Sequence, residues 1–166
     1  MAVKMSYSGA SELGEMLSRL GTEAPDIARK ALFTGAGTVA DAVKAAVMQL
    51  PVGTPKENSP TGHPFTGLTE EDRDDLAAGV GIARFDSKGD AETTAISFNG
   101  YTRRTEPGFP KGVPLAMIAR SLESGSSVRA KHPFMRLTVR AVKDTAQASM
   151  VQTAEAEISK ITEGKK

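Results

Sequence analysis

Apolar residues recur along this chain with a helical period, then a strand period, then a helical period again. Leu13, Met16, Leu17 and Leu20 stand at spacings of three, one and three, and Gly21 follows as a left-handed cap, which predicts a short helix over 11–20. A longer stripe, Ala28, Leu32, Gly35, Val39, Ala42, Val43, Ala46 and Leu50, predicts a second helix over about 22–50. Thr22 is its expected cap, Pro25 fits its first turn, and Pro51 stops it. The stripe is narrow and rich in alanine, which lets another helix approach closely. Residues 2–7 read as an edge strand.

Residues 51–67, PVGTPKENSPTGHPFTG, contain too many Pro and Gly for a regular element and predict a long loop. Such length exceeds the usual connection of about 4–6 residues and suits a mobile segment or a binding arm. Thr69 then caps a short helix over 69–77, with Glu70, Glu71 and Asp72 at its positive end. Alternation in 79–86 and 92–98 predicts a β-hairpin turning at 87–90, with Val80 and Ile82 on one face and Thr94, Ile96 and Phe98 on another. A second Gly/Pro-rich loop, 99–113, is basic. Pro114 opens a helix that Gly125 closes, and Pro133 opens the last long helix, about 134–162. Its expected core stripe is Phe134, Leu137, Ala141, Ala148, Val151, Ala154, Ile158 and Ile161, with Arg136, Arg140, Lys143, Gln147 and Gln152 outside. The fold class is α+β: one domain over 1–166, with two long helices packed over one face of a small antiparallel sheet and a flexible tail at 163–166.

Composition narrows the chemistry. The 166 residues include no cysteine, which excludes disulfides, a thiol nucleophile and thiolate metal sites. No signal-like apolar segment opens the chain, and no stretch of about 18 apolar residues is expected to span a membrane. A soluble protein made in a cytosol follows.

The net charge of +1 conceals an uneven distribution. Residues 1–100 hold 9 Lys/Arg and 14 Asp/Glu, whereas 101–143 hold 9 Lys/Arg and 2 acids. A molecule with an acidic and a basic part can pair head to tail with copies of itself, and its basic part can face nucleic acid.

No string of residues marks a catalyst. Gly35–Ala36–Gly37 continues as a GxGxxA pattern, but it lies inside a helical stripe, where close helix packing is its better explanation than dinucleotide binding. Gly79–Val80–Gly81 opens a strand with no phosphate-binding helix after it. The acidic run from Glu70 to Asp75 lacks calcium-loop spacing. His63 and His132 are isolated from each other and give no metal or acid–base signal. No catalytic, cofactor or metal residue is assigned, and no small-molecule substrate or cofactor is expected. Tyr101 and Phe109 are too few for a stacking platform, so the alternative, an accessory DNA-binding protein, rests on the basic 101–143 segment alone.

Several short strings occur together in order: LTEEDRDDLAAGVGI from Leu68, FNGY from Phe98, PKGV from Pro110, IARSLESGS from Ile118 and KHPF from Lys131. This order resembles the HK97 gp10-like family of tailed-phage proteins. The strongest marker is Leu122–Glu123–Ser124–Gly125–Ser126 followed by Pro133–Phe134, similar to the family's LExGT…PF pattern, with Ser126 where Thr is usual. Pro51 and Thr66–Gly67–Leu68 stand in for its P…TG-L stretch, with a longer insertion between them. The likeness covers about residues 22–162. It implies a non-enzymatic virion protein of the head–tail joint, a neck or tail-completion component, made in the host bacterial cytoplasm. The implied partners are copies of itself in a ring around the DNA channel and neighbouring head-closure, tail-terminator or tail-tube proteins. Non-specific contact with channel DNA is also implied. The expected contact residues are Arg103, Arg104, Lys111, Arg120, Glu123, Arg129 and Lys131. The two Pro/Gly loops are the expected arms, and reversing charge at Arg103 and Arg104 is expected to impair assembly while leaving the monomer folded. Glu123 opposes the dipole of its own helix and so needs a partner, with Arg120, Arg129 or Lys131 as candidates. Gly125 is expected at positive φ. Pro133 and Phe134 are expected to start the last helix, with the ring anchored in the core.

Overall fold

Gly21 does not end a helix, and Thr22 does not start one. In the computed structural model α1 runs unbroken over Ala10–Met48, and the Thr22 hydroxyl donates to the Ser18 carbonyl inside it, 3.0 Å away. Pro25 lies in the helix interior, where it withholds one N–H from the ladder. The two expected helices are therefore one, because favourable side chains continue on both sides of a glycine that the helix tolerates at a cost of about 1 kcal/mol.

The structure describes residues 10–53, 68–88, 91–126, 129 and 131–163, with only the backbone described for 10–12 and Lys88. The expected strand at 2–7, most of the first loop and the end of the tail lie outside the described residues. After α1 come α2 (Glu70–Ala78), β1 (Val80–Ile82), β2 (Asp86–Lys88), β3 (Ala91–Thr93), β4 (Ile96–Phe98), α3 (Leu115–Ser124) and α4 (Met135–Glu163). The α+β class holds, with two long helices and a small amount of antiparallel sheet.

The hairpin is present but divided. β1 pairs with β4, Val80 opposite Phe98 and Ile82 opposite Ile96, while β2 pairs with β3, Asp86 opposite Thr93. Between the ladders, residues 83–85 oppose only 94–95, so the inner register is displaced by one residue, as in a bulge. Ser87 and Lys88, expected in the turn, belong to β2.

The core forms where α1, α2, α3 and β1–β4 meet. Val43, Val47, Leu68, Leu76, Leu115, Ile118, Leu122 and Phe134 are buried there, and the Phe134 ring meets Phe98 edge-on at 5.9 Å. The expected α1 stripe faces this core and α4, with Gly35, Val43 and Leu50 buried. Leu13–Met48 is long and apolar enough to cross a membrane by length and composition, contrary to the sequence expectation. Much of that apolar character lies in the C-terminal half, where Val43 and Val47 are fully buried in the core.

Of the two long helices α1 packs on the strands, and the short α3 meets β4. α4 lies antiparallel along α1, Met150 beside Gly35 and Lys30 bonded to Glu157 at 2.6 Å. A Cβ on Gly35 would stand 2.1 Å from the Met150 methyl, so this glycine of the GxGxxA pattern serves close helix packing. Arg29 extends the tie to the inner hairpin, 3.1 Å from Glu92 and 3.0 Å from the Ser87 hydroxyl.

The expected core stripe of α4 is mostly wrong. Phe134 and Ile161 are buried, but Leu137 and Val151 are 59% and 56% exposed, and Ala141, Ala148 and Ile158 are exposed too. The face on α1 is instead formed by Val142, Ala146, Met150, Thr153, Glu157 and Ile161. α4 thus carries apolar residues on two opposite faces, only one of which is covered among the described residues.

Candidate functional site

The expected contact residues divide between a structural hub and an exposed surface. Asp72, near the start of α2, is fully buried and receives the Arg104 guanidinium at 2.9 Å. Thr69 caps the same turn by accepting the Asp72 N–H at 3.0 Å. Arg104 also reaches Glu106. Burial works against the Arg104 charge, but Asp72 and Glu106 more than offset it and raise its pKa. Arg103 donates to Asp75 through both its backbone N–H, at 2.8 Å, and its Nε, at 2.6 Å. Arg129 is largely withdrawn from solvent, which lowers its pKa, and it donates to the Ser121 hydroxyl at 3.0 Å. The acidic run of α2 and the basic loop are therefore largely one another's partners.

That loop is tied down, unlike a free arm. Thr102 is buried; its N–H donates to the Val113 carbonyl at 2.9 Å, and its hydroxyl accepts the Val113 N–H and donates to the Arg104 carbonyl. Gly112 has φ 91°, and a Cβ there would meet the Thr102 carbonyl oxygen at 2.0 Å.

The Leu122–Phe134 string builds the joint between α3 and α4. Glu123 does not pair with Arg120, Arg129 or Lys131. Its carboxylate accepts the backbone N–H groups of Phe134 and Met135, each at 2.9 Å, and of Arg136 at 3.3 Å, and binds Arg136 Nε at 2.7 Å. An acid that opposes the dipole of α3 thus sits at the positive end of α4, where it satisfies orphan donors. Burial pushes the Glu123 carboxyl up, but Arg136 and the three N–H groups outweigh it and hold the carboxyl below the usual range. Gly125 has φ 78°, as expected, and the His132 N–H closes onto the Leu122 carbonyl at 2.7 Å. Pro133 precedes the first turn of α4, and Phe134 is the expected core anchor.

What remains for a partner is the exposed set. Lys111, Arg120 and Lys131 are exposed, as are Arg140 and Lys143 on α4, and none of the five makes an ion pair among the described residues. The outer face of α4 is exposed as well. Leu137, Ala141, Asp144, Ala148, Val151, Glu155 and Ile158 alternate in steps of four and three, the heptad spacing of a helix–helix seam, and all seven are exposed. The sequence reading had these apolar residues but turned them inward; the sustained heptad step was the available signal for a second contact face.

Among the described residues, no group of three or more His, Asp or Glu side chains is arranged to hold a metal ion. Compared with known protein-family models, with curated proteins and with solved structures, the chain matches none.

Proposed function

We propose that this protein is a structural subunit that works by assembling with other chains, and that it is a component of the head–tail joint of a long-tailed bacteriophage. The observation that carries the assembly reading is the exposed heptad seam of α4, with Leu137 and Val151 each more than half exposed. Exposed large apolar side chains on one helix face mark interaction sites, and Leu137, Val151 and Ile158 stand on this one with Asp144 and Glu155 between them. The phage assignment rests on the resemblance in the LESGS…PF region. The geometry gives those residues coherent roles: Leu122 in the core, Glu123 on the start of α4, Gly125 at positive φ and Phe134 against Phe98. The engagement of Arg103 and Arg104 by α2 weakens the DNA-binding alternative, because the loop offers less free positive charge than its sequence suggests.

The test is electron microscopy of a lysate in which a stop codon interrupts this gene. Filled heads beside separate tails are expected. Normal infectious particles would overturn the phage reading, and DNA binding that weakens steeply with salt would then favour the alternative.

A further inference from the structure

Pro25 sits at the boundary between the covered and the uncovered parts of α1. Just after it the helix is tied to its neighbours. Ile27 and Ala31 are buried, Arg29 reaches Glu92 at 3.1 Å, and Lys30 bonds to Glu157 at 2.6 Å. Six residues after Glu157 the described part of α4 ends at Glu163, so in this antiparallel pair its cover reaches back to about position 24. From 13 to 26 only Met16 and Leu20 are half-buried, and the rest are exposed. None of these positions makes a hydrogen bond or ion pair to another element among the described residues.

The helix ladder is weakest at the same place. Pro25 has no N–H to give the Gly21 carbonyl, and its ring crowds that carbonyl, which together bend a helix. Within the same turn the Thr22 hydroxyl donates to the Ser18 carbonyl at 3.0 Å, a side-chain bond that competes with the ladder. A Cβ on Gly21 would meet no neighbouring atom within 4 Å, so close packing does not demand this glycine as it demands Gly35. Before the weak turn the helix is supported again. Leu13 with Leu17, Met16 with Leu20, and Glu15 with Arg19 stand four apart, the spacing of side-chain pairs that stabilise a helix.

We propose that residues 21–25 are a hinge, about which the start of α1 swings as one helical arm against a body that begins at Ile27. The core does not open in this motion, because its first buried member is Ile27. The arm carries Leu13, Leu17 and Leu20 on one face, with Leu13 50% and Leu17 59% exposed, so the hinge sets the direction in which this row points. The device is a property of the single chain. It goes beyond the assembly reading and is independent of the phage assignment.

The experiment is nuclear magnetic resonance on the full chain, reading Cα chemical shifts and backbone N–H residual dipolar couplings over 13–20 and 27–47. Helical shifts are expected in both segments. The couplings of 13–20 are expected to be reduced against those of 27–47, because hinge motion on the μs–ms scale averages them. Pro25→Ala, which restores the missing N–H, is expected to return the arm couplings to full size, and Gly21→Ala/Pro25→Ala to do the same without a clash. Full-size couplings over 13–20 in the wild type, for a straight helix or one at a fixed bend, would overturn the proposal. Random-coil shifts over 13–20 would overturn it too, since the segment would then be a frayed end and not an arm. Couplings that stay reduced in both variants while the shifts stay helical would remove the pivot from 21–25. The stop-codon lysate tests the phage reading separately, and neither of its outcomes changes these couplings.

Discussion

The Glu123 carboxylate accepts the Phe134 N–H at 2.9 Å, so the last turn of α3 holds the first turn of α4. One side chain does the capping work that a Ser, Thr or Asp does in most helices, and it does so from another element. Glu123→Ala is expected to destabilise the fold by about 1–2 kcal/mol, the range of a lost cap whose donors then face partial burial. Chemical denaturation at neutral pH measures it. An unchanged midpoint would remove the capping role.

The same contact predicts a pH dependence. The folded Glu123 carboxyl titrates below its ordinary value, so in acid the unfolded chain takes up this proton first. Its contribution is complete above the unfolded carboxyl value of about 4.3 and is lost as pH falls through the lower folded value. The stability difference between wild type and Glu123→Gln should therefore shrink between neutral pH and the acid limit. A difference that stays constant over that interval contradicts the assignment.

Two glycines at positive φ should differ in sensitivity. At Gly125, φ 78°, a Cβ would stand 3.2 Å from Lys131 Cβ, a contact that the segment at exposed Lys131 relieves by giving way a few tenths of an ångström. At Gly112, φ 91°, the obstacle is the Thr102 backbone carbonyl at 2.0 Å, inside the hydrogen-bonded loop base. Gly125→Ala should cost about 1 kcal/mol, from backbone conformation, while Gly112→Ala should cost clearly more. Thermal melts of the two variants side by side test the ranking, and equal losses would contradict it.

Helix packing offers a coupled test. Gly35→Ala gains about 1 kcal/mol of helix propensity but drives a methyl into Met150, and overpacking costs about 1–3 kcal/mol. The net effect should be destabilising in the wild type and should become neutral or stabilising when Met150 is changed to Ala. Additive effects in the double variant would mean the two residues do not share the contact.

Why α1 and α4 were legible to different degrees follows from their faces. Most apolar residues between positions 28 and 50 lie on one face, with Phe33 and Met48 exposed outside it, so the spacing named the core side, and Gly35 fell correctly within it. α4 has Val142, Ala146, Met150 and Ile161 on one side and Leu137, Val151 and Ile158 on the other. Both rows satisfy a helical period and carry apolar side chains of similar size, so neither spacing nor size told the covered row from the uncovered one. The Thr69 cap, the Gly125 conformation and the Phe134 anchor were readable because each depends on neighbours in sequence. The partners of Asp72 and Glu123 were not, since Arg104 and Arg136 come from elements whose approach only the packed core decides.

Arg103 and Arg104, adjacent in sequence and alike in charge, should behave differently when changed. Arg103 lies on the surface, its side chain 63% exposed, and its bond to Asp75 competes with water. Its removal should therefore cost little stability. Arg104 faces an Asp72 that has no solvent exposure, and loss of one partner from a buried pair typically costs about 3–5 kcal/mol. Arg104→Met should therefore lower the melting temperature strongly, while Arg103→Met should hardly change it. Asp72→Leu combined with Arg104→Met should recover part of the loss, since no unpaired charge then remains at that position. Equal, small effects of the two single changes would mean that the Asp72 carboxylate keeps enough support without Arg104. Reversing both arginines to glutamate is consequently expected to destabilise the fold as well as alter its surface, and assembly is better probed at Arg140 and Lys143.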